Sequence, residues 1–328
     1  MGWHLNWGIR VRWTAVVNKR EQDLNQLSGR RAVVAVGVST VWTSPDAPRA
    51  CDAAAIADIP QMSAWVSGMT REQRKGLHGR TLTQVLFGDI VQVEEVADGW
   101  ARIIAIEQAA PPLDPRGYPG WLPAAHIVPD DGDEQPAGGQ YVVDVMFSVL
   151  HERPESASRA VDIVLGTRLT VLGQARGGYA PVAAPGWAAP LWANLADLAP
   201  VASGPAATAR DLLPVARRLQ DVPYIWGGVS PYGIDCSGLV YLAHRRLNVT
   251  VPRDAGDQAA ASVPVEPDQQ APGNLCFFED AKARIDHVGL LHGPGQLLHA
   301  SGGAGQVRQE PIEGELARRL AAIHRTLP

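Results

Sequence analysis

The chain has 328 residues, 46% of them hydrophobic and 19% charged, with a net charge of −5. That length suits two or three domains with real cores, and the lack of any basic block argues against nucleic acid as a partner. Three scattered cysteines, Cys51, Cys236 and Cys276, exclude a disulfide framework or a zinc site.

The N-terminus reads MGWHLNWGIRVRWTAVVNKREQDLNQ. His4, Asn6, Arg10 and Arg12 interrupt every apolar run, so no secretory leader is expected. No stretch reaches the roughly 18 apolar residues of a membrane span. An odd cysteine count without CxxC fits a reducing compartment. The expectation is a cytoplasmic protein that does not enter the membrane; a misassigned start codon would admit a secreted one. Residues 1–30, with Trp3, Trp7 and Trp13, read as an extension.

Residues 31–200 contain a weak internal repeat. The first copy runs Val33–Val36, "VWTSPDAPR", "GDIVQV" (88–93), Trp100 and "GW" at 120–121. The second runs Val142–Val145, "VLHERPESASR", "GTRLTV" (166–171), Tyr179 and "GW" at 186–187. Short alternating apolar runs separated by Gly and Pro read as small all-β units. "VADGW" and "QARGGY" read as hairpin turns with left-handed glycine. The first copy carries a helical insertion near 52–75 and a Pro-rich loop, "EQAAPPLDPRGYPG" (107–120), that contains Tyr118. On this alignment the loop makes the first copy twelve residues longer. Segments 130–139 and 200–208 are small, polar and Pro/Gly-rich, and read as linkers. The expected units are therefore 31–130, 139–200 and 208–328.

After residue 208 the pattern changes. "ARDLLPVARRLQD" and "DCSGLVYLAHRRLN" (235–248) read as helices, the second with Leu239, Val240, Ala243 and Leu247 on one face. "NLCFF", "HVGLLH", "QLLHAS" and "QVRQEPI" read as short antiparallel strands, giving an α+β layout. Cys236 falls at the start of the second helix, where free N–H groups and the helix dipole favour a thiolate. His287 opens one strand and His299 sits on the next, within reach of each other across a hairpin. A nucleophile, a base and a group that holds the base make a triad, with backbone amides at the helix start for the oxyanion. Cys276, inside an apolar strand, and Cys51, in a loop, read as inert.

"YIWGG…DCSGLV", "DHVGLL" and "LLHAS" resemble the NlpC/P60 cysteine peptidases over about residues 208–328. The resemblance implies a papain-like core with Cys236 as nucleophile, His287 as base, His299 as third member, and Tyr224 near the oxyanion. The N-terminal repeats then look like bacterial SH3 (SH3b) domains. The implied fold is two small all-β SH3b-like barrels followed by an α+β papain-like catalytic domain. "LDPRGYPGW", "WGGVSPYGIDCSG" and "VPRDAGDQ" are similar to YkfC-type γ-D-glutamyl-L-diamino acid endopeptidases, which cut murein peptides bearing a free N-terminal L-Ala.

Such a substrate needs acceptors for its ammonium. Asp235 is expected to pair with it while capping the helix, and Tyr118 to close the groove. Arg253 is expected either to orient the D-Glu carboxylate or to brace Asp235. Asp254 and Ser237 match further polar positions of the family's site, and Gln84 is expected to face the groove. No metal or other cofactor is implied. The rival expectations are a secreted hydrolase of intact wall, anchored by its SH3b units, and a murein-fragment binding module without catalysis. The oligomeric state is not readable.

Overall fold

The computed structural model describes residues 27–130, 138–155, 157, 159–201 and 207–327. Trp3, Trp7 and Trp13 and most of both linker segments lie outside the described residues.

The alternating runs of 31–200 form two sheets. The first holds β1 (Arg31–Val34), β2 (Val38–Trp42), β3 (Thr81–Leu86), β4 (Ile90–Ala97), β5 (Trp100–Ala105), β6 (Tyr118–Pro123) and β7 (Ile127–Pro129). The second holds β8 (Gly139–Val143), β9 (Phe147–His151), β10 (Arg159–Val164), β11 (Arg168–Val171), β12 (Tyr179–Val182), β13 (Leu191–Asn194) and β14 (Leu198–Pro200). Their spatial orders are β3-β2-β6-β5-β4-β1-β7 and β10-β9-β13-β12-β11-β8-β14. Each label of the second is that of the first plus seven, so one topology occurs twice.

The hairpin β4–β5 turns at Asp98 and Gly99, both with positive φ (50° and 77°), the geometry that a two-residue hairpin loop needs. Val34, Val41, Val91, Val93, Ile103 and Leu122 fill the first core. Each such side chain contributes roughly 1.5–3 kcal/mol when fully buried. Leu27 joins this core at 1% exposure, so the first unit starts earlier than residue 31.

The repeat alignment needs one correction. Trp121 faces Arg102 across β5–β6, and Trp192 faces Pro181 at the same place in β12–β13. Trp192, not Trp187, is thus the counterpart of Trp121. Trp187 sits in the preceding loop, 40% exposed. From the glycine to the tryptophan the first copy's excess shrinks from twelve residues to seven, and the loop itself is eight residues longer because the second copy has one more residue before Tyr179. The loop still ends at Tyr118, the first residue of β6.

Between β2 and β3, the helices Ala53–Ile56, Met62–Gly68 and Arg71–Lys75 form the insertion. Trp65 packs on Trp42 with ring centroids 6.1 Å apart, and its indole N–H donates to Asp52.

In the C-terminal unit the helices Ala209–Arg218, Cys236–Arg246 and Ala255–Ala260 precede the main sheet. That sheet runs, edge to edge, Val263–Pro264, Leu320–Arg325, Leu275–Glu279, Ile285–Gly293, Gln296–Ser301 and Gln306–Pro311. The strand Leu320–Arg325 was not legible in the sequence. Leu239, Val240 and Ala243 pack with Phe277, Val288, Leu290 and Leu298. The helix is not amphipathic as expected: Cys236 to Arg245 are all buried. The reason is a second cover, because Arg245 pairs with Asp89 of the first β unit and donates to the Gly166 carbonyl of the second. Among the described residues no helix is long and apolar enough to cross a membrane.

Candidate active site

Cys236 is the first residue of its helix, and Asp235 is the N-cap, accepting from the Gly238 amide at 2.6 Å. Gly238 permits this turn: a Cβ there would lie 2.1 Å from the Gly228 carbonyl oxygen. Gly227 has φ +78°, and a Cβ on it would meet the Leu82 backbone at about 3 Å. Gly227 of "WGG" thus lets this turn approach β3, and Gly238 lets the nucleophile helix approach the turn.

The cap is locked from behind. Asp235 also accepts from the Gly227 amide at 2.9 Å, the Ser237 hydroxyl at 3.2 Å, and two Arg253 nitrogens at 2.7 and 3.1 Å. Arg253, 1% exposed, also donates to Ser237 Oγ at 2.8 Å and to Thr83 Oγ1 of β3 at 2.9 Å. Thr83 donates to Gln108, and Gln108 donates to the Gln84 carbonyl, both at 2.6 Å. Gln84 Oε1 accepts from the Val229 amide at 2.9 Å. A buried polar chain therefore ties the first β unit to the nucleophile's cap.

Two expectations change here. Gln84 does not face the groove; it is 1% exposed and fastens β3 to the catalytic unit. Of the two roles weighed for Arg253, bracing Asp235 is the one the geometry matches, because the guanidinium lies behind the cap, away from the cavity lining.

A cavity of about 280 Å³ opens over Cys236. Tyr118, Tyr224, Asp235, Ser237 and Asp254 line it, together with Leu82, Trp226, Ala255, Gly256, Ile285 and Asp286. Tyr118 comes from the first β unit and donates its hydroxyl to Asp254 Oδ2 at 3.0 Å. Asp254 sits at the N-cap of helix Ala255–Ala260 yet makes no side-chain capping bond. Burial pushes its carboxyl above the ordinary value, with Arg253 and the Tyr118 bond offsetting part of this. Asp235, expected to take the ammonium, has both oxygens engaged by Gly227, Gly238, Ser237 and Arg253, and Asp286 is paired with Arg319, so Asp254, which accepts from Tyr118 through Oδ2, is the better placed carboxylate of the lining. The second β unit contributes none of these lining residues.

The two imidazoles meet on the sheet, where the amide of Val288, next to His287, bonds the Cys236 thiol. His287 Nε2 and His299 Nδ1 are 2.7 Å apart, with ring centroids at 4.9 Å. Leu290 pairs with Leu298, which sets Gly289 across from His299. A Cβ at Gly289 would lie 2.8 Å from the His299 Cβ. The glycine of "DHVGLL" thus leaves room for the His299 side chain, which meets His287 diagonally across the strands. Sequence reasoning missed Glu310, whose Oε1 lies 2.6 Å from His299 Nε2.

Burial sets the resting charges. It pushes the Cys236 thiol up to about 12, with Asp235 adding to the effect and the Val288 and Ser237 amides opposing it. Burial likewise pulls His287 down to about 3, helped by His299 and Arg319. The expected helix-start activation is therefore outweighed in the resting site. Both the thiol and the imidazole are thus neutral at rest. Tyr224 is also driven well above its ordinary value, by burial and then by proximity to Cys236, so it is a phenol that can donate. Cys276 is a core side chain and Cys51 is exposed.

Residues 221–325 match the NlpC/P60 family. The chain is 32% identical over 267 residues to the γ-D-glutamyl-L-lysine dipeptidyl-peptidase of Bacillus subtilis (strain 168), covering 80% of this chain and 87% of that protein. It is 27% identical over 276 residues to the protein of that name from Bacillus cereus (strain ATCC 10987 / NRS 248), covering 82% and 83%. The crystal structure of an NlpC/P60 family protein from Bacillus cereus ATCC 10987 superposes with a TM-score of 0.84 at 25% identity, over 91% of this chain and all of that one. A thiol at a helix start, backed by two histidines on adjacent strands, together with this similarity over most of the chain, establishes the protein as a member of the NlpC/P60 family of cysteine peptidases.

Proposed function

We propose that the protein hydrolyses the bond between γ-D-Glu and a diamino acid in murein peptides that carry a free N-terminal L-Ala, releasing L-Ala-D-Glu in cell-wall recycling in the cytoplasm. The observation that carries this reading is the end of the cavity, where Tyr118 of one unit and Asp254 of another converge. A helix-cap aspartate that forgoes its cap and is half-buried beside a phenol is suited to a cation. An α-ammonium supplies three donors and a positive charge, whereas an acetylated end supplies one donor, no charge and added bulk.

In this reading the substrate lies with its ammonium at Asp254 and its γ-carbonyl at Cys236. His287 takes the thiol proton as sulfur attacks the carbonyl carbon. Backbone amides at the helix start and the Tyr224 hydroxyl donate to the oxyanion in this reading. The tetrahedral species collapses, the C–N bond breaks, and His287 returns the proton to the leaving amine. Water, deprotonated by His287, then cleaves the thioester. Asp235 holds the helix start, and its charge lies behind the ammonium site.

Mass spectrometry of L-Ala-γ-D-Glu-L-Lys, its diaminopimelate analogue and their N-acetylated forms tests the reading, with Cys236→Ala as control. The expected result is L-Ala-D-Glu from the free peptides only, and nothing from the variant. Equal cleavage of blocked peptides, or digestion of intact sacculi, would instead favour a wall hydrolase. Binding without turnover, unchanged in Cys236→Ala, would favour a binding module.

A further inference from the structure

A neutral imidazole carries one N–H, and two rings joined by one hydrogen bond can hold their protons in either of two orders. In one order His287 Nδ1 is bare; in the other it is protonated and cannot accept from a thiol. His287 Nε2 is committed to His299, so Nδ1 is the only ring nitrogen left for Cys236. The proton order of the pair thus decides whether the base works.

Glu310 breaks the tie. Its Oε1 lies 2.6 Å from His299 Nε2, and a carboxylate only accepts, so His299 Nε2 carries the hydrogen. Burial favours neutral His299, which leaves its Nδ1 bare. That nitrogen must then accept from His287 Nε2–H at 2.7 Å. His287 Nδ1 is left with its lone pair. The register makes this local: His299 pairs with Arg308, and Glu310 lies two residues on, on the same face of the neighbouring strand.

We propose that Glu310 is a positioning residue that fixes both tautomers and so keeps His287 Nδ1 ready for the Cys236 proton. When that proton arrives, Nδ1–H forms as S–H breaks, and the Nε2–H bond to His299 stays as it was. No second proton transfer is needed, and the carboxylate stabilises the imidazolium through the His299 ring. Other charged groups near the pair do not supply this order. Arg308 Nε is 3.7 Å from Glu310 Oε2, and Arg319, paired with Asp286, only adds positive potential at His287. The remaining ring neighbour of His287 is Phe278, 5.5 Å away.

The test uses the full chain with Glu310→Gln, Glu310→Ala and, as control, Arg308→Gln. In Glu310→Gln the side-chain amide can turn its NH2 toward His299 and select the reverse order. Nitrogen-15 NMR of the histidines is expected to find His287 Nδ1 unprotonated in the parent protein and mixed or protonated in Glu310→Gln. On the peptide of the proposed reaction, kcat is expected to fall on the order of tenfold or more with KM little changed, whereas Arg308→Gln stays within about twofold. Only this kinetic arm rests on the proposed substrate. A parent protein with protonated His287 Nδ1, or variants whose tautomers match the parent's, would overturn the proposal whatever the peptide does.

Discussion

The two β units share one strand order but meet the catalytic unit differently. The first sends Tyr118 and Leu82 into the cavity and Thr83, Gln84 and Gln108 into the buried chain behind Asp235. The second meets the catalytic unit through Asp144, which accepts from Arg218 at 2.5 Å and Arg246 at 2.6 Å, and through the Gly166 carbonyl. These lie away from the cavity. A copied fold thus became part of the active site in one instance and a buttress in the other. Of the two units, only the first contributes residues to the cavity lining. The eight-residue longer loop before β6 and the helical insertion mark the copy that acquired the role.

The largest test of that difference is Arg253→Met. It removes the guanidinium joining the first unit to the nucleophile's cap and leaves Asp235 buried without its counter-charge. Breaking such a pair costs about 3–5 kcal/mol. Thermal denaturation of the full chain should shift down sharply, and turnover should be lost with it.

Next is an acid response that belongs to the first unit. His126 and Asp197 occupy the same place, the residue before β7 and before β14, and each bonds the serine at the second position of the equivalent strand, Ser39 of β2 at 2.7 Å and Ser148 of β9 at 2.6 Å. His126 is fully buried and also donates from Nε2 to the Ala57 carbonyl. Burial pulls it down to about 4. A depressed folded-state value means that stability is complete above the unfolded value near 6.5 and is lost as pH falls toward 4. The loss is about 3 kcal/mol for this one group. His126→Asn should flatten the first unit's share of the stability decline between pH 6.5 and 4. His244, pulled down to about 4, and His287, pulled down to about 3, both by burial in the catalytic unit, should leave a residual decline in the same window.

Tyr118→Phe should have a smaller effect. Losing a hydrogen bond to a charged partner costs about 1.5–3 kcal/mol of stability, so the melting temperature should drop by a few degrees, and kcat/KM for the free-amine peptide should fall mainly through KM as Asp254 loses the bond that orients it. The smallest effect belongs to the second unit. Asp144→Asn weakens partly exposed ion pairs worth about 1 kcal/mol or less, and steady-state kinetics should match the parent's.

What was legible in the sequence was local. A cysteine at a helix start, a hairpin bearing two histidines, and Gly-flanked strand pairs all lie within short windows, where turn chemistry and period set the geometry. Long-range placement was not legible. Gln84 and Leu82 share a face of β3, but two residues are about 6.6 Å of strand. That distance puts Leu82 in the cavity and Gln84 under the Val229 backbone. Glu310 sits in a polar edge strand whose alignment with His299 depends on a register that only the folded sheet fixes. The charge state of Cys236 could not be read either, because it depends on how deeply the folded chain buries it.

The central claim is that the seam between the first β unit and the catalytic unit reads a free ammonium. The most direct measurement is the ratio of kcat/KM for L-Ala-γ-D-Glu-L-Lys over its N-acetylated form, in the parent protein and in Asp254→Asn. The account predicts a preference for the free amine on the order of a hundredfold or more in the parent, collapsing to a few-fold in Asp254→Asn while the slow cleavage of the acetylated peptide is unchanged. A parent protein that cuts both peptides equally well would contradict it.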